Sequence, residues 1–73
     1  MTETFDLRGL KCPLPAMLAK KALARLAPGA AVLVLADDPL AQVDIPHMCH
    51  TEGHAVEDMA LRDGYCEFQI RRG

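Results

Sequence analysis

The chain has 73 residues, of which 51% are hydrophobic and 4% aromatic, and its formal net charge is −2 at pH 7. This length allows one domain, residues 1–73, and the apolar content predicts a folded chain. The negative charge argues against a protein that binds nucleic acid through bulk positive charge, so direct nucleic-acid binding is not expected. The longest apolar run, Ala30–Ala36, is far shorter than the roughly 20 residues of a membrane-spanning helix. We therefore expect no membrane insertion.

The three cysteines are an odd number, so they cannot form a complete set of disulfides within one chain. Residues 1–6 have neither the basic nor the apolar region of a signal peptide. We predict a cytoplasmic protein with reduced thiols, because disulfides are rare in reducing compartments. Cysteines in that setting more often serve catalysis, redox chemistry or metal binding.

The first half of the chain predicts a strand, a helix and a second strand. Residues Phe5–Arg8 alternate apolar and polar side chains, which is the period of a half-buried strand. Pro13 suits the first position of a helix, strong helix formers run from Leu14 to Ala27, and Pro28-Gly29 ends the helix. The unbroken apolar run Ala30–Ala36 favours a central strand parallel to its neighbour.

The first predicted helix is amphipathic. At about 100° per residue, its apolar side is expected to face the core and comprises Leu18, Ala19, Ala22, Leu23 and Leu26. Lys20, Lys21 and Arg25 lie on the opposite side, either as a solvated face or as a dock for an acidic partner. Met17 falls between the two sides, so partial burial and contact with a partner both remain open.

A second helix is predicted after the central strand. The stretch Asp37-Asp38-Pro39 is typical of a helix start. Pro46 leaves two alternatives, a helix kinked at that residue or a helix that begins near Asp44. In both cases the helix ends near Glu52, and Gly53 suits the C′ position that follows.

The last third of the chain predicts a hairpin. Strands over His54–Leu61 and Tyr65–Arg71 are joined by Asp63-Gly64, a favoured turn sequence. Cys66 shares one face of the final strand with other apolar side chains and is expected to be buried. The order βαβαββ predicts an α+β two-layer sandwich in which two helices cover one face of a four-stranded mixed sheet.

Cys12 is the strongest candidate for chemistry. It stands before Pro13 at the predicted N-cap of the first helix. The partial positive charge and free N–H groups of a helix N-terminus favour a thiolate. The amides of Leu14 and Ala16 remain available to point at the sulfur.

The residues around Cys12 limit its chemistry to that of a single thiol. Pro15 occupies the position of the second cysteine in a Cys-x-x-Cys pair, so no resolving thiol lies nearby in the sequence. Pro13 and Pro15 stiffen the helix start, and Lys11 and Lys20 add positive potential. A mixed disulfide or a persulfide is the predicted product.

Cys49 lies among three histidines, and this cluster admits a metal hypothesis. His47, His50 and His54 would share a helix face, but Gly53 is expected to end the helix before His54. Histidines at a polar helix end explain the pattern better, so no metal site is predicted. Cys49 remains a candidate secondary thiol.

The segment Asp6–Pro15, followed by Lys20, resembles the C-P-x-P-x-x-x-x-K signature of the TusA (SirA-like) family of sulfur carriers. Ala36–Pro39 and Asp44–Cys49 are similar to the second conserved block of that family. Ile70–Gly73 is similar to its C-terminus. The resemblance spans essentially the whole chain and implies the same βαβαββ sandwich.

The resemblance also implies a function. Cys12 would take sulfane sulfur as a persulfide from a donor such as a cysteine desulfurase or a rhodanese, and would pass it to an acceptor protein. Such a chain is a sulfurtransferase-like carrier, expected to be a monomer without a cofactor, rather than a turnover enzyme. Residues expected to support Cys12 or to contact partners are Lys11, Pro13, Pro15, Lys20, Lys21 and Arg25. Leu14 stands where carriers for tRNA thiolation often have an acidic residue, so that pathway is not singled out. The sulfur could serve tRNA thiolation, sulfur oxidation or thiosulfate use, or cofactor synthesis.

Two hypotheses from other classes remain. The basic strip on the first helix also fits a small nucleic-acid-binding or regulatory module, although only by analogy of fold. Cys12, Cys49 and the nearby histidines also fit a thiol or metal redox sensor.

Overall fold

The computed structural model describes residues 3–73, so the first two residues of the segment inspected for a signal peptide lie outside the described residues. The elements, in chain order, are β1 (Glu3–Asp6), α1 (Leu14–Ala24), β2 (Ala31–Ala36), α2 (Ala41–Glu52), β3 (Ala55–Arg62) and β4 (Tyr65–Arg71). The predicted order βαβαββ and the α+β class are confirmed. Between residues 3 and 73, the helices are too short or too polar to cross a membrane.

The four strands form one mixed sheet in the order β1-β2-β4-β3. β1 runs parallel to β2, as predicted, whereas β4 pairs antiparallel with both β2 and β3. Val34 of β2 lies opposite Phe68 of β4 at the centre of the sheet. The face of the sheet that carries these two side chains is the core, where they pack with fully buried residues of both helices, including Leu23 and Ile45.

The buried side of α1 differs from the predicted one. Pro15, Ala19 and Leu23, spaced four residues apart, form the buried line. Leu18 is 39% exposed, and Ala22 is only partly buried. The prediction placed Leu18 in the core because it assumed a broad apolar face. In the structure, only a single line of side chains on this short helix is fully buried.

The ends of the first two elements also differ from their predictions. β1 ends at Asp6 rather than Arg8, because the amide and guanidinium of Arg8 both donate hydrogen bonds to the Asp6 carboxylate and turn the chain. α1 ends at Ala24 rather than Ala27. Arg25 is its C-cap residue, and the Arg25 amide still donates to Ala22.

α2 begins at Ala41, between the two predicted starts, and continues through Pro46. Gly53 ends it in the left-handed conformation with φ 81°, which is costly for a residue with a side chain. The predicted strand Tyr65–Arg71 and the turn at Asp63-Gly64 are confirmed.

Candidate functional site

The Cys12 loop lies at the carboxyl ends of the parallel strands β1 and β2, where two adjacent aspartates anchor it. The Gly9 amide donates to both carboxylate oxygens of Asp37, each at 3.0 Å. The Cys12 amide donates to Oδ2 of Asp38, and the Leu40 amide donates to Oδ1 of the same side chain at 3.1 Å. The loop that leaves β1 is therefore tied to the β2–α2 connection.

Asp38 is the buried member of this pair, with 8% of its surface exposed. Its pKa lies below the usual carboxyl range because the Cys12 and Leu40 amides both donate hydrogen bonds to its ionised form. The sequence pattern identified Asp38 as a residue of the helix start. The structure gives it the further task of fixing the backbone of Cys12.

The Cys12 side chain is exposed, and its Sγ donates a hydrogen bond to Oδ2 of Asp44 at 2.8 Å. This hydrogen bond raises the pKa of the Cys12 thiol, and partial desolvation and the charges of Asp44 and Asp38 add to the effect. The prediction that the helix N-terminus stabilises a thiolate here is wrong. The free sulfur is held as a thiol by an acidic neighbour.

The local backbone explains why the helix start does not lower the pKa of the thiol. Pro13, not Cys12, is the N-cap residue of α1, so Cys12 lies one residue further from the first turn of the helix than predicted. The Leu14 amide, expected to point at the sulfur, donates instead to the Lys11 carbonyl at 2.8 Å. Pro15 is buried in the first turn of α1, and its stiffening role stays a prediction.

The exposed surface of α1 next to Cys12 combines apolar and basic side chains. Leu14 and Met17 are 44% and 57% exposed, and with Leu18 they line a shallow groove bordered by Lys20 and Lys21. Lys20 Nζ lies 3.5 Å from a carboxylate oxygen of Glu52. Lys11, Lys21 and Arg25 are exposed. Of the two alternatives for Met17, this exposure goes against partial burial and leaves contact with a partner open.

The other two cysteines lie in the core. Cys49 is fully buried, and desolvation raises the pKa of its thiol to about 11. Cys66 is 3% exposed, as predicted for a buried side chain of the last strand. All three cysteines are free. Of the three thiols, Cys12 is therefore the one that a partner can reach.

The histidines do not gather into a cluster with other metal ligands. His54 lies beyond Gly53, outside α2, and its Nδ1 accepts a hydrogen bond from the Gly73 amide at 3.0 Å. Within residues 3–73 there is no group of three or more His, Cys, Asp or Glu side chains suited to hold a metal ion.

Comparison with known proteins supports the resemblance seen in the motif. The family model described as "Sulfurtransferase TusA" matches residues 3–72. The chain belongs to the TusA family. This TusA-family chain is 46% identical over 63 residues to a "Putative sulfur carrier protein" of Neisseria meningitidis serogroup A, which covers 86% of this chain and 85% of the relative. A protein of the same description from serogroup B matches with the same identity and coverage.

A solved structure confirms the fold of this TusA-family chain. The crystal structure of a SirA-like protein from Desulfitobacterium hafniense superposes with a TM-score of 0.86 and 34% sequence identity, over 99% of each chain. Family and fold together support a sulfur carrier of the TusA type in general terms.

Sequence reasoning missed the acidic surroundings of the sulfur. Asp44 lies 32 positions after Cys12 in the sequence, and Asp38 lies 26 positions after it. The packing of α2 beside the start of α1 brings Asp44 to the thiol, and the β2–α2 connection brings Asp38 to the Cys12 amide. Both residues do lie in the second block of the family resemblance, which was the one available signal.

Proposed function

We propose that Cys12 carries sulfane sulfur as a persulfide between a donor protein and an acceptor protein. The observation that carries this proposal is the placement of the three thiols in a TusA-family chain: Cys12 is exposed on an anchored loop, and Cys49 and Cys66 are buried. A single accessible thiol without a resolving partner suits sulfur transfer better than a dithiol redox cycle.

The transfer needs no cofactor and no external oxidant. The Cys12 sulfur attacks the outer sulfur of a persulfide on the donor and forms a new S–S bond. The donor's own S–S bond breaks, and its electron pair stays on the donor sulfur as a thiolate. Delivery to the acceptor is the same exchange with Cys12 as the departing thiolate. The chain therefore acts as a monomeric carrier rather than as an enzyme that turns over substrate alone.

The partner surface in this proposal is the mixed apolar and basic face of α1 beside Cys12. Leu14 and Met17 provide apolar contacts, and Lys20, Lys21 and Arg25 attract an acidic rim on the partner. Lys11, which is exposed and precedes Cys12 in the chain, adds to this positive rim. The donor is of the cysteine desulfurase or rhodanese type, the classes that the family resemblance implies.

The test is sulfur loading followed by mass spectrometry of the intact chain and of its peptides. Incubation with a cysteine desulfurase and L-cysteine, or with a rhodanese and thiosulfate, should add one sulfur atom to the peptide that contains Cys12. Cys12→Ser should abolish this addition, and Cys49→Ser, which changes a buried thiol, should retain it in the folded protein. Full loading of Cys12→Ser, or no loading of the wild-type chain by either class of donor, would refute the proposal.

A further inference from the structure

The Asp44 carboxylate differs from the two other acidic side chains at this end of the molecule. Asp37 and Asp38 accept backbone N–H groups and hold loops together. Asp44, in the first turn of α2, contacts the reactive sulfur itself, with Oδ2 2.8 Å from Sγ of Cys12. Among residues 3–73, the hydrogen bonds and ion pairs of the structure give Asp44 no other side-chain partner.

We propose that Asp44 is a catalytic residue of sulfur transfer, which takes the proton of the Cys12 thiol when sulfur arrives and returns it when sulfur leaves. This role rests on the proposed function of Cys12 as a persulfide carrier. It is carried by the direct contact between the carboxylate and the atom that reacts. General acid–base catalysis requires a proton acceptor within hydrogen-bond distance, and Asp44 meets that condition.

The loading step balances with Asp44 as proton acceptor. The Cys12 Sγ forms a bond to the outer sulfur of the donor persulfide, and the donor S–S bond breaks. The electron pair of the broken bond leaves on the donor sulfur as a thiolate. The proton that Sγ can no longer keep passes to Oδ2 of Asp44. One S–S bond forms and one breaks, so no further oxidant or reductant is needed.

The unloading step is the reverse. The acceptor's thiolate takes the outer sulfur from Cys12, the Cys12 S–S bond breaks, and its electron pair stays on Sγ. The neutral carboxyl group of Asp44 returns its proton to Sγ, so the departing group becomes a thiol. This help matters because partial desolvation and the charge of Asp38 still disfavour a Cys12 thiolate when Asp44 is neutral.

A purely structural role for Asp44 makes different predictions. If Asp44 only orients the thiol, Asp44→Asn keeps an acceptor oxygen of the same shape and no longer opposes the thiolate, so transfer should be as fast as in the wild type or faster. If Asp44 moves the proton, Asp44→Asn should slow transfer, because the side-chain amide cannot take up a proton near neutral pH. Asp63→Asn is the matched control, since it changes an exposed carboxylate in the turn between β3 and β4 that plays no part in holding the Cys12 loop, and Asn-Gly remains a favoured turn sequence.

The experiment measures single-turnover loading of Cys12 by glutathione persulfide, followed by release of the sulfur to excess free thiol. Asp44→Asn should slow both steps near neutral pH on the order of 10²-fold. Asp44→Glu should recover part of the rate, and Asp63→Asn should match the wild type. The pH profile of Cys12 alkylation by iodoacetamide gives a second readout. Its midpoint should fall in Asp44→Asn, because the carboxylate no longer opposes the thiolate.

The outcomes separate this inference from the proposed function. If the wild-type chain loads and Asp44→Asn loads and releases sulfur equally fast, Cys12 remains a carrier and the role of Asp44 is overturned. An unchanged alkylation midpoint would also overturn it. If the wild-type chain takes up no sulfur on Cys12, the proposed function fails and this role fails with it. If circular dichroism shows that Asp44→Asn does not fold, Asp44→Ala is tested with added formate instead. Loading restored by formate would support the role of Asp44, and loading that formate does not restore would overturn it.

Discussion

At the scale of single residues, Asp38 connects the reactive loop to the fold. Its two oxygens accept N–H groups from different segments, Cys12 before α1 and Leu40 before α2. A carboxylate can accept both hydrogen bonds, whereas an amide has one acceptor and one donor group. Replacement by Asn must therefore leave one of the two N–H groups facing another donor.

Asp38→Asn should lower Tm near neutral pH by about 4–8 °C, the effect expected in a domain of this size when one such hydrogen bond is lost. The folded-state pKa of Asp38 lies below the usual value of 3.8. Its stabilisation is therefore complete above the unfolded pKa and is lost as the pH falls through the folded one. The Tm of the wild type should approach that of Asp38→Asn in acid, as thermal unfolding scans from neutral pH down to about pH 2.5 would show. A difference between the two Tm values that stays constant as the pH falls would contradict this linkage.

Asp6 provides an internal reference for those scans. Its pKa is lowered to about 2, first by its hydrogen bonds with Arg8, and it is present in both chains. The acid sensitivity that Asp6 contributes is therefore common to both, and the difference between the two Tm curves reports Asp38 alone.

The sequence singled out Cys12 as the candidate reactive residue, and its side chain is exposed, but the predicted direction of its pKa was wrong. The motif and the nearby prolines are local features, so they can be found in one stretch of sequence. The electrostatic surroundings of the sulfur are not local, because Asp44 arrives from α2. A carboxylate in contact with the thiol outweighs a helix start at which the Leu14 amide is already bonded and Pro13 and Pro15 have no amide N–H.

At the scale of elements, the eleven residues of α1 combine three features. One side of the helix packs against the sheet, and its first turn lies beside the Cys12 sulfur. Its exposed side carries apolar and basic side chains. Its existence was predictable from helix formers and from Pro28-Gly29. Its buried side was only partly predictable, since Leu18 and Leu23 are equally apolar and the angle at which the helix meets the sheet decides between them.

Lys21→Glu should weaken sulfur loading from a protein donor on the order of 10-fold at low salt, because reversal of a rim charge slows the steered encounter with an acidic surface. Lys21 is suited to this test because it is exposed and borders the groove formed by Leu14 and Met17. Lys21→Gln should give an intermediate rate, and added salt should reduce the difference among the three chains.

Loading from glutathione persulfide provides the control for this docking prediction. A small donor does not need the α1 face, so Lys21→Glu should load at the wild-type rate with it. An equal loss with the small donor would show that Lys21 acts on the sulfur rather than on docking. An unchanged rate with the protein donor would move the partner surface away from this part of α1.

At the scale of the whole molecule, the core is joined to the Cys12 loop through the few residues that follow β2. β2 and β4 pair at the centre of the sheet, and the residues that follow β2 hold the Cys12 loop. The pairing of β4 with β2 was not predictable from the sequence, because alternation fixes the faces of a strand and not its neighbour. The same pairing places Phe68 beside Val34, in the middle of the core.

Phe68→Ala should remove a large part of the free energy of unfolding at 25 °C. Phe68 is fully buried, and truncation of a buried Phe costs about 3–5 kcal/mol. A chain of 73 residues is expected to have only about 4–11 kcal/mol of total stability. Leu61→Ala is the control, since Leu61 is 72% exposed and should change stability by about 0.5 kcal/mol or less.

Urea unfolding followed by circular dichroism measures the stability of both variants, and sulfur loading measures the site. Because the Cys12 loop is held by residues that directly follow a core strand, loading of Phe68→Ala should fall together with its folded fraction. Leu61→Ala should load as the wild type does. A Phe68→Ala chain that has lost its secondary structure and still loads Cys12 at the wild-type rate from a protein donor would contradict this connection. In that case the donor would recognise the Cys12 segment as a peptide rather than as an element of the fold.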